Sequence, residues 1–276
     1  MLEPSGTLVI ELTYDCDMRC PWCVEARHVG TKKGPLPPEA LCRLLGRAFA
    51  RPYKTYVFQG GEPLAYSQYM LEICDTISAK QPDACFRIFT NGTHLTYPLV
   101  EELNKRNVHA TIALEADGYK GVTNFVLNHA KDPENALENI RLLHGKCLRI
   151  VATAEKIDSG RLADDILLLH NYISGCAIEV TLDLTNLGKY TLDDMAKLQE
   201  QYKKLKNKAP NCAAWLIPMQ GFTTHCSNFA EWYILETDTI MEKCPVADRP
   251  ETGCAAYKGR MKPEVYEAYT KITENF

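Results

Sequence analysis

Short runs of apolar and β-branched residues alternate with segments of helical periodicity from Thr7 to Tyr202. This alternation is typical of parallel strands that are joined by crossover helices. The predicted strands are Leu8–Thr13, Tyr56–Gln59, Phe86–Thr90, Val108–Leu114, Leu148–Ala154 and Ala177–Leu184. The predicted helices that follow them are Pro38–Ala50, Tyr66–Ala79, Pro98–Arg106, Pro133–Leu143, Arg161–Tyr172 and Leu192–Lys206.

Local signals mark the starts of two of these helices. Asp132 with Pro133 predicts a cap followed by proline at the first helical position, and Thr191 with Asp194 approximates a capping box. The last helix also repeats apolar residues at helical spacing, which predicts one buried face made of Leu192, Met195, Leu198, Tyr202 and Leu205.

The number of β/α units predicts the fold class. Six units are fewer than the eight of a complete barrel, so the pattern favours an α/β fold with a partial (β/α)6 TIM-like barrel over residues 1–208. Active-site groups are then expected at the C-terminal ends of the strands. After Lys208 little helical periodicity is present until about Lys262. We therefore expect residues 209–276 to form a small second module.

Composition and charge exclude several classes of function. The chain has 276 residues, of which 46% are hydrophobic and 24% are charged, and its net charge is -4, so no overall basic field attracts nucleic acid or an anionic membrane. No apolar run reaches the roughly 18 residues of a spanning helix, and the first residues lack the layout of a signal peptide. We expect a cytoplasmic protein, in which the 12 cysteines indicate metal binding or thiol chemistry rather than disulfides.

Three cysteines directly follow the first strand. Cys16, Cys20 and Cys23 form a C-x3-C-x2-C array, and soft sulfur ligands of this kind bind iron–sulfur clusters or zinc. Three protein ligands leave one iron of a four-iron cluster open to another molecule. The alternative is a structural zinc with His28 as the fourth ligand.

The array, with Trp22 before its last cysteine, resembles the hallmark of the radical S-adenosylmethionine (SAM) superfamily. Gly60–Pro63 at the end of the second strand resembles the GGEP element of that superfamily, and Thr90–Gly92 at the end of the third strand is a common signature. Residues 113–118 and 136–143 are similar to stretches of its peptide-modifying branch. These elements occur in the family's order.

The resemblance implies a [4Fe-4S] cluster on Cys16, Cys20 and Cys23, whose open iron binds the amino and carboxylate groups of SAM. Electrons from a reductant such as flavodoxin or ferredoxin would cleave SAM to a 5′-deoxyadenosyl radical, which abstracts a substrate hydrogen. The implied SAM-binding residues are Trp22, Gly60, Gly61, Glu62, Thr90, Asn91 and Glu115. Glu115 is expected to accept hydrogen bonds from the ribose hydroxyls, and the group that binds the SAM carboxylate is left open.

A second set of cysteines lies in the C-terminal module. Cys212, Cys226, Cys244 and Cys254 suffice for a second cluster or a structural zinc, and their spacing resembles the SPASM and twitch auxiliary-cluster modules of the same superfamily. One register places a hairpin between Cys226 and Cys244, and the other places it between Cys212 and Cys226. The C-x2-C pair of a full SPASM domain is lacking, so we expect at most one auxiliary [4Fe-4S] cluster in a twitch-like module. Four buried thiols are the alternative.

The remaining candidates have weaker signals. Asp183, near the end of the sixth strand, is expected to be a catalytic residue that contacts substrate or accepts a proton, with a solvated strand end as the alternative. The other five cysteines are expected to be buried, inert thiols, namely Cys42, Cys74, Cys85, Cys147 and Cys176.

Residues 113–118 and 136–143 favour a radical SAM enzyme that modifies a ribosomally made peptide by crosslink, thioether formation, epimerisation or oxidation. Because the first strand starts near residue 8, we expect no leader-binding domain before it, so that a separate leader-peptide recognition protein recruits the peptide or the substrate is small. The alternatives are a dehydrogenase or related enzyme acting on a sugar, cyclitol or other metabolite, and a non-catalytic zinc module. Neither nucleic acid nor a membrane is an expected partner.

Overall fold

The computed structural model describes residues 6–31, 34–114, 130–216, 230–234, 239–241 and 261–275. The strands in these residues are β1 Thr7–Thr13, β2 Thr55–Gly60, β3 Cys85–Thr90, β4 Val108–Ala113, β5 Lys146–Ala152, β6 Ala177–Leu182, β7 Ala214–Leu216, β8 Ala230–Ile234 and β9 Thr239–Met241. They form one sheet in the order β7-β6-β5-β4-β3-β2-β1-β8-β9. Neighbours pair in parallel except β8 and β9, which are antiparallel.

A helix follows each of the first six strands, as the alternating pattern predicts. The helices are α1 Pro38–Ala50, α2 Ser67–Ser78, α3 Tyr97–Lys105, α4 Ala136–Leu142, α5 Ala154–Asp158, α6 Leu162–Tyr172, α7 Leu192–Lys208 and α8 Pro263–Asn275. Short 3-10 turns lie at Pro63–Tyr66 and Leu187–Lys189. All six predicted strands and all six predicted helices are therefore present, and the α/β partial barrel is confirmed.

The sheet separates an apolar face from a polar one. On each strand, every second side chain points towards the helices. Such side chains are at most 2% exposed in Ile10, Phe58, Ile88, Leu148 and Ile150. The opposite face lines the inside of the partial barrel and carries polar and charged residues, among them Glu11, Gln59, Thr111, Arg149 and Glu179. Helix packing thus stabilises the outside of the barrel and leaves its inside for a ligand.

The predicted start of α4 is wrong. The helix begins at Ala136 with Asn135 at its N-cap, three residues beyond Pro133. The Asp132 carboxylate instead accepts hydrogen bonds from the side-chain amides of Asn135, at 3.1 Å, and Asn139, at 3.2 Å. These side-chain bonds hold residues 132–135 as a turn before the helix, so Asp132 does not act as its cap.

The capping box of α7 is confirmed. The Thr191 hydroxyl accepts from the Asp194 N–H at 3.2 Å, and the Asp194 carboxylate accepts from the Thr191 N–H at 2.7 Å. Four of the five residues predicted to form the buried face of α7 are buried, whereas Leu192 is 53% exposed because it stands at the first helical position, before the turns that reach the core.

The described residues after Lys208 belong to the same sheet as the barrel. Strand β7 pairs with β6 at one edge, β8 pairs with β1 at the other edge, and α8 packs against α7. Strands β8 and β9 pair antiparallel with Trp232 opposite Met241, and both strands lie between Cys226 and Cys244 in the chain. The division at residues 208 and 209 stays a prediction. No helix in the described ranges is both long and apolar enough to cross a membrane.

Candidate active site

The C-terminal ends of β1 and β2 are fastened together by their main chains. The Gly61 N–H donates to Thr13 O at 2.7 Å, and the Glu62 N–H donates to Asp15 O at 2.7 Å. A Cβ atom on Gly60 would lie 2.1 Å from Thr13 O, and one on Gly61 would lie 2.2 Å from Asp15 O. Gly60 also has a φ of +131°, which L side chains rarely adopt. The glycine pair therefore permits this close approach of strand end and loop.

The loop held in this way carries the first three cysteines. Cys16, Cys20 and Cys23 are partly buried, and the N–H of Cys23 donates to Cys20 O at 3.1 Å. The Arg19 guanidinium donates to the carbonyls of Cys16, at 2.8 Å, and Met18, at 2.7 Å, which braces the loop from within. Trp22, just before Cys23, is partly buried.

The environment of Cys16 fits an iron–sulfur ligand. Its sulfur accepts from the Met18 N–H at 3.4 Å, and the side-chain amide of Asn91 lies 3.9 Å from it; N–H donors at the sulfurs are one of the ways in which proteins tune such clusters. Burial raises the pKa of Cys16 to about 11 and also raises the pKa of Cys23. A bound metal offsets this effect, because its positive charge stabilises the thiolates.

The zinc alternative would use His28 as the fourth ligand. His28 is buried, with Nδ1 2.7 Å from a carboxylate oxygen of Glu25 and its ring 5.1 Å from that of Tyr14. Across the described ranges, no three His, Cys, Asp or Glu side chains come together closely enough to hold a single metal ion. A four-iron cluster does not need that convergence, because each cysteine binds a different iron. The choice between a cluster and zinc on these cysteines therefore stays a prediction.

Glu62 joins the ends of β2 and β3. The carboxylate is fully buried; one oxygen accepts from the Leu64 N–H at 2.9 Å and the Thr90 hydroxyl at 2.7 Å, and the other accepts from the Asn91 N–H at 2.7 Å. Burial raises the pKa of Glu62 despite these donors. The structure thus gives Glu62 a positioning role, while its predicted contact with SAM stays a prediction.

The loop after β3 contacts the cysteine loop through Asp17. Its carboxylate accepts from Asn91 Nδ2 at 2.8 Å and from the Thr93 hydroxyl at 2.6 Å, and His94 Nε2 lies 3.4 Å away. Burial alone would raise the pKa of Asp17, but the hydrogen bonds from His94, Thr93 and Asn91 lower it well below its usual range. Sequence reasoning identified Asn91 but missed Asp17, Thr93 and His94. The available signal was an acid inside the cysteine array and a polar pair directly after Thr90–Gly92.

Charged side chains also meet inside the barrel. Arg149 on β5 donates through Nε, at 3.0 Å, and Nη2, at 2.6 Å, to one carboxylate oxygen of Glu179 on β6. The guanidinium carbon lies 4.7 Å from the centre of the Phe89 ring on β3. The arginine side chain is 25% exposed. Arg149 was not among the residues singled out from the sequence, where an arginine within an apolar strand was the available signal.

Asp183 lies directly after β6 and is only 5% exposed, so it is not a solvated strand end. One carboxylate oxygen accepts from the N–H, at 2.9 Å, and the hydroxyl, at 2.6 Å, of Thr185. The other accepts from the Asn186 amide at 2.8 Å. These bonds close the turn after β6, and the catalytic assignment of Asp183 stays a prediction.

Of the four cysteines predicted to bind an auxiliary cluster, Cys212 lies in the described residues. Cys226, Cys244 and Cys254 lie outside the described residues, as does Glu115. Cys212 is 3% exposed and just precedes β7, as Cys176 just precedes the neighbouring β6, so both lie at the amino end of the sheet. That edge is opposite to the one that carries Cys16. Burial raises the pKa of Cys212.

The expectation of five buried core thiols is partly wrong. Cys74 and Cys176 are buried, and Cys147 is partly buried, but Cys42 and Cys85 are exposed. Cys42 lies off the buried stripe of α1, and Cys85 is the first residue of β3, where helices no longer cover the sheet.

Curated relatives match less than half of this chain. A PqqA peptide cyclase from Streptomyces rochei is 30% identical over 114 residues, which are 41% of this chain and 30% of that protein. A putative glycyl-radical enzyme activating enzyme from Methanocaldococcus jannaschii is 28% identical over 121 residues, 42% of this chain and 48% of that protein. The chain therefore spans less than half of the length of these relatives.

Solved structures share the fold. The enzyme anSMEcpe with bound AdoMet aligns with a TM-score of 0.61 and 17% identity, over 80% of this chain and 64% of that one. SuiB from Streptococcus suis, bound to precursor peptide SuiA, aligns with a TM-score of 0.61 and 17% identity, over 98% of this chain and 67% of that one. At these identities the likeness concerns the fold alone.

A family model described as the radical SAM superfamily matches residues 10–153. This match covers more than half of the chain and includes the cysteine loop, the glycine pair and the loop after β3. It agrees with the soft donor set at Cys16, Cys20 and Cys23 and with the partial barrel. The chain belongs to the radical SAM superfamily of enzymes.

Proposed function

We propose that this enzyme modifies a ribosomally synthesised peptide. The observation that carries the proposal is that both curated relatives are named for action on a polypeptide, one as a peptide cyclase and the other as an activator of a glycyl-radical enzyme. The fold shared with SuiB, whose structure contains a precursor peptide, supports it. Because the chain covers only part of these proteins, the kind of bond that it makes or breaks is not transferred from them.

Cys16, Cys20 and Cys23 would hold the cluster, and SAM would lie against Trp22, Gly60, Gly61, Glu62, Thr90, Asn91 and Glu115. With reduced flavodoxin or ferredoxin as electron donor, the bound cofactors would supply radical chemistry that removes a substrate hydrogen. The chain's own contribution is positional. Glu62 fixes the ends of β2 and β3 relative to each other, and the Arg149–Glu179 ion pair would contribute polar groups to the lining of the substrate site.

We also propose one auxiliary [4Fe-4S] cluster on Cys212, Cys226, Cys244 and Cys254. The antiparallel pair of β8 and β9 lies between Cys226 and Cys244 in the chain, which supports the register that uses these two cysteines. Cys212 would have to reach the cluster from the amino end of β7. The iron content of single variants tests which cysteines bind this cluster. Cys244→Ala should contain about four irons per chain fewer than the wild type, and Cys212→Ala should show the same loss only if Cys212 is a ligand.

Anaerobic reconstitution with iron and sulfide, followed by an assay for 5′-deoxyadenosine, tests the assigned cysteines. We expect about eight irons per chain if both clusters form, and about four if only the first one does. Joint replacement of Cys16, Cys20 and Cys23 by alanine should abolish SAM cleavage. The control is Cys42→Ala, at an exposed cysteine on α1, which should cleave SAM normally. Stoichiometric zinc without SAM cleavage would overturn the assignment.

The substrate class needs a separate experiment. A short precursor peptide encoded beside the gene, with any neighbouring leader-peptide recognition protein, should be incubated with the reconstituted enzyme and examined by mass spectrometry in H2O and D2O. Loss of a pair of hydrogens indicates a crosslink, thioether or oxidation, and deuterium uptake indicates epimerisation. An unchanged peptide, together with turnover of a sugar or cyclitol, would overturn the peptide proposal in favour of a metabolite dehydrogenase.

A further inference from the structure

Asp17 lies inside the cysteine array and is held by a different part of the fold. Its two carboxylate oxygens receive hydrogen bonds from Asn91, at 2.8 Å, and Thr93, at 2.6 Å, with His94 at 3.4 Å. Thr93 is itself fixed, since its hydroxyl lies 2.7 Å from the Asn91 side-chain oxygen and its N–H donates to that oxygen at 2.9 Å. The loop after β3 therefore holds the carboxylate of the residue that follows Cys16, and the Asn91 side-chain nitrogen contacts both that carboxylate and the Cys16 sulfur.

We propose that Asp17 lowers the reduction potential of the cluster held by Cys16, Cys20 and Cys23, and that Asn91, Thr93 and His94 are the positioning residues that keep its carboxylate in place. Reduction adds an electron to the cluster, and a fixed negative charge nearby disfavours that step. This inference rests on the proposed cluster site, and it assigns to Asp17 a role that the cysteine spacing does not contain.

The side chain of Asn91 contacts both Asp17 and Cys16. The same side-chain nitrogen that donates to Asp17 lies 3.9 Å from the Cys16 sulfur. An N–H directed at a cysteine sulfur stabilises the reduced cluster, whereas the carboxylate disfavours it. Because this NH2 group has two hydrogens, it serves both groups at once, and removal of the Asp17 charge leaves the N–H at the sulfur in place while it favours reduction.

A purely structural role for Asp17 makes a different prediction. Asp17→Asn keeps the size of the side chain and one oxygen that accepts from Thr93, but it removes the charge. If Asp17 only connects the two loops, this variant is less stable and its cluster keeps the wild-type potential. If its charge acts on the cluster, the potential rises even where the iron content is unchanged.

The test is a redox titration of the reconstituted protein, followed by the EPR signal of the cluster that responds to SAM. Asp17→Asn should move the midpoint to a more positive value, with wild-type iron content. The matched control is Asp83→Asn, an exposed acid before β3 at the opposite edge of the sheet, which should leave the midpoint unchanged. An unchanged midpoint in Asp17→Asn would overturn the inference.

If Asp17→Asn does not assemble a cluster, Thr93→Val provides the second measurement. Valine keeps the shape of threonine but removes the hydroxyl that holds the Asp17 carboxylate in place. The carboxylate should then lower the potential less, so the midpoint should become more positive. A wild-type midpoint in an assembled Thr93→Val variant would overturn the inference in that case. Failure of the wild-type chain to bind any cluster would instead overturn the proposed cluster site.

Discussion

Gly61 has no room for a side-chain carbon because its backbone lies against the carbonyl of Asp15. The neighbouring atoms are main-chain atoms of the cysteine loop, which cannot move aside as the end of a flexible side chain can. The Gly61 N–H is also bonded to Thr13 O at 2.7 Å. The glycine pair is therefore a packing requirement at the end of β2, in addition to any contact that it makes with SAM.

Gly61→Ala should lower the free energy of unfolding by about 1–3 kcal/mol, because the added carbon overpacks the contact between β2 and the cysteine loop. Urea denaturation of the protein without cofactors measures this effect independently of SAM binding. Gly46→Ala is the control, since Gly46 lies within α1 and a Cβ there would meet no atom of the described residues within 4 Å; alanine should stabilise that helix by about 0.5–1 kcal/mol. Wild-type stability in Gly61→Ala would contradict the packing argument.

Sequence motifs identified Gly60, Gly61 and Asn91 but not the bonds that surround them. The Glu62 carboxylate binds Thr90, 28 residues away, and Asp17 binds Thr93, 76 residues away. Such pairs become neighbours only when parallel strands align their ends at one edge, and no local pattern encodes them. Residue types at the site could thus be predicted, whereas the hydrogen bonds among them required the fold.

At the scale of the elements, α7 has the best-defined start. The capping box at Thr191 satisfies helix N–H groups that have no partner within the helix, and α7 then packs against α5, α6 and α8. A weaker helix start here should therefore affect the stability of the packed helices as well as of α7.

Thr191→Ala should lower the free energy of unfolding by about 1 kcal/mol, because it removes the side-chain acceptor of the cap. The matched control is Thr96→Ala, since Thr96 is the N-cap of α3 but its side chain makes no capping hydrogen bond. Urea denaturation should show a clearly smaller loss for Thr96→Ala. Equal losses in the two variants would mean that the Thr191 hydroxyl acts through something other than the cap.

The contrast between α7 and α4 explains what local signals can predict. Thr191 and Asp194 bond to each other, so the sequence alone locates the start of α7. Near α4, the amide of Asn139 bonds both to Asp132 and to the carbonyl of Leu95, 44 residues away. The contact with Leu95 joins segments that are distant in the chain, so a local pattern could not show it.

At the scale of the whole molecule, the C-terminal segment extends both edges of the sheet. The change of periodicity after Lys208 predicted a separate module, but it could not predict that β7 and β8 would pair with β6 and β1. β7 and β9 have three residues each, too few for an alternating pattern to be read. From the pairing at both edges and the packing of α8 we predict that the described parts of the two segments unfold together.

Tyr269→Ala tests this cooperativity. Tyr269 is 1% exposed on α8, with Val265 and Ile272 buried on the same face, and the α7 residues Tyr202 and Leu205 are buried as well. Because the change leaves a cavity where α8 packs on α7, it should lower the free energy of unfolding of the whole chain by about 3 kcal/mol. Far-UV circular dichroism and tryptophan fluorescence should then give coincident urea curves, both shifted to lower urea.

The control for Tyr269→Ala lies on the same helix. Lys271 is exposed and pairs with Glu267 at 2.9 Å, so Lys271→Ala should change the free energy of unfolding by less than about 0.5 kcal/mol. If residues 209–276 instead formed an independent module, Tyr269→Ala would produce an early transition of that module alone, and the barrel would unfold at the wild-type urea concentration. The separation of the two curves therefore decides whether the C-terminal segment is an appendage or part of the barrel's own cooperative unit.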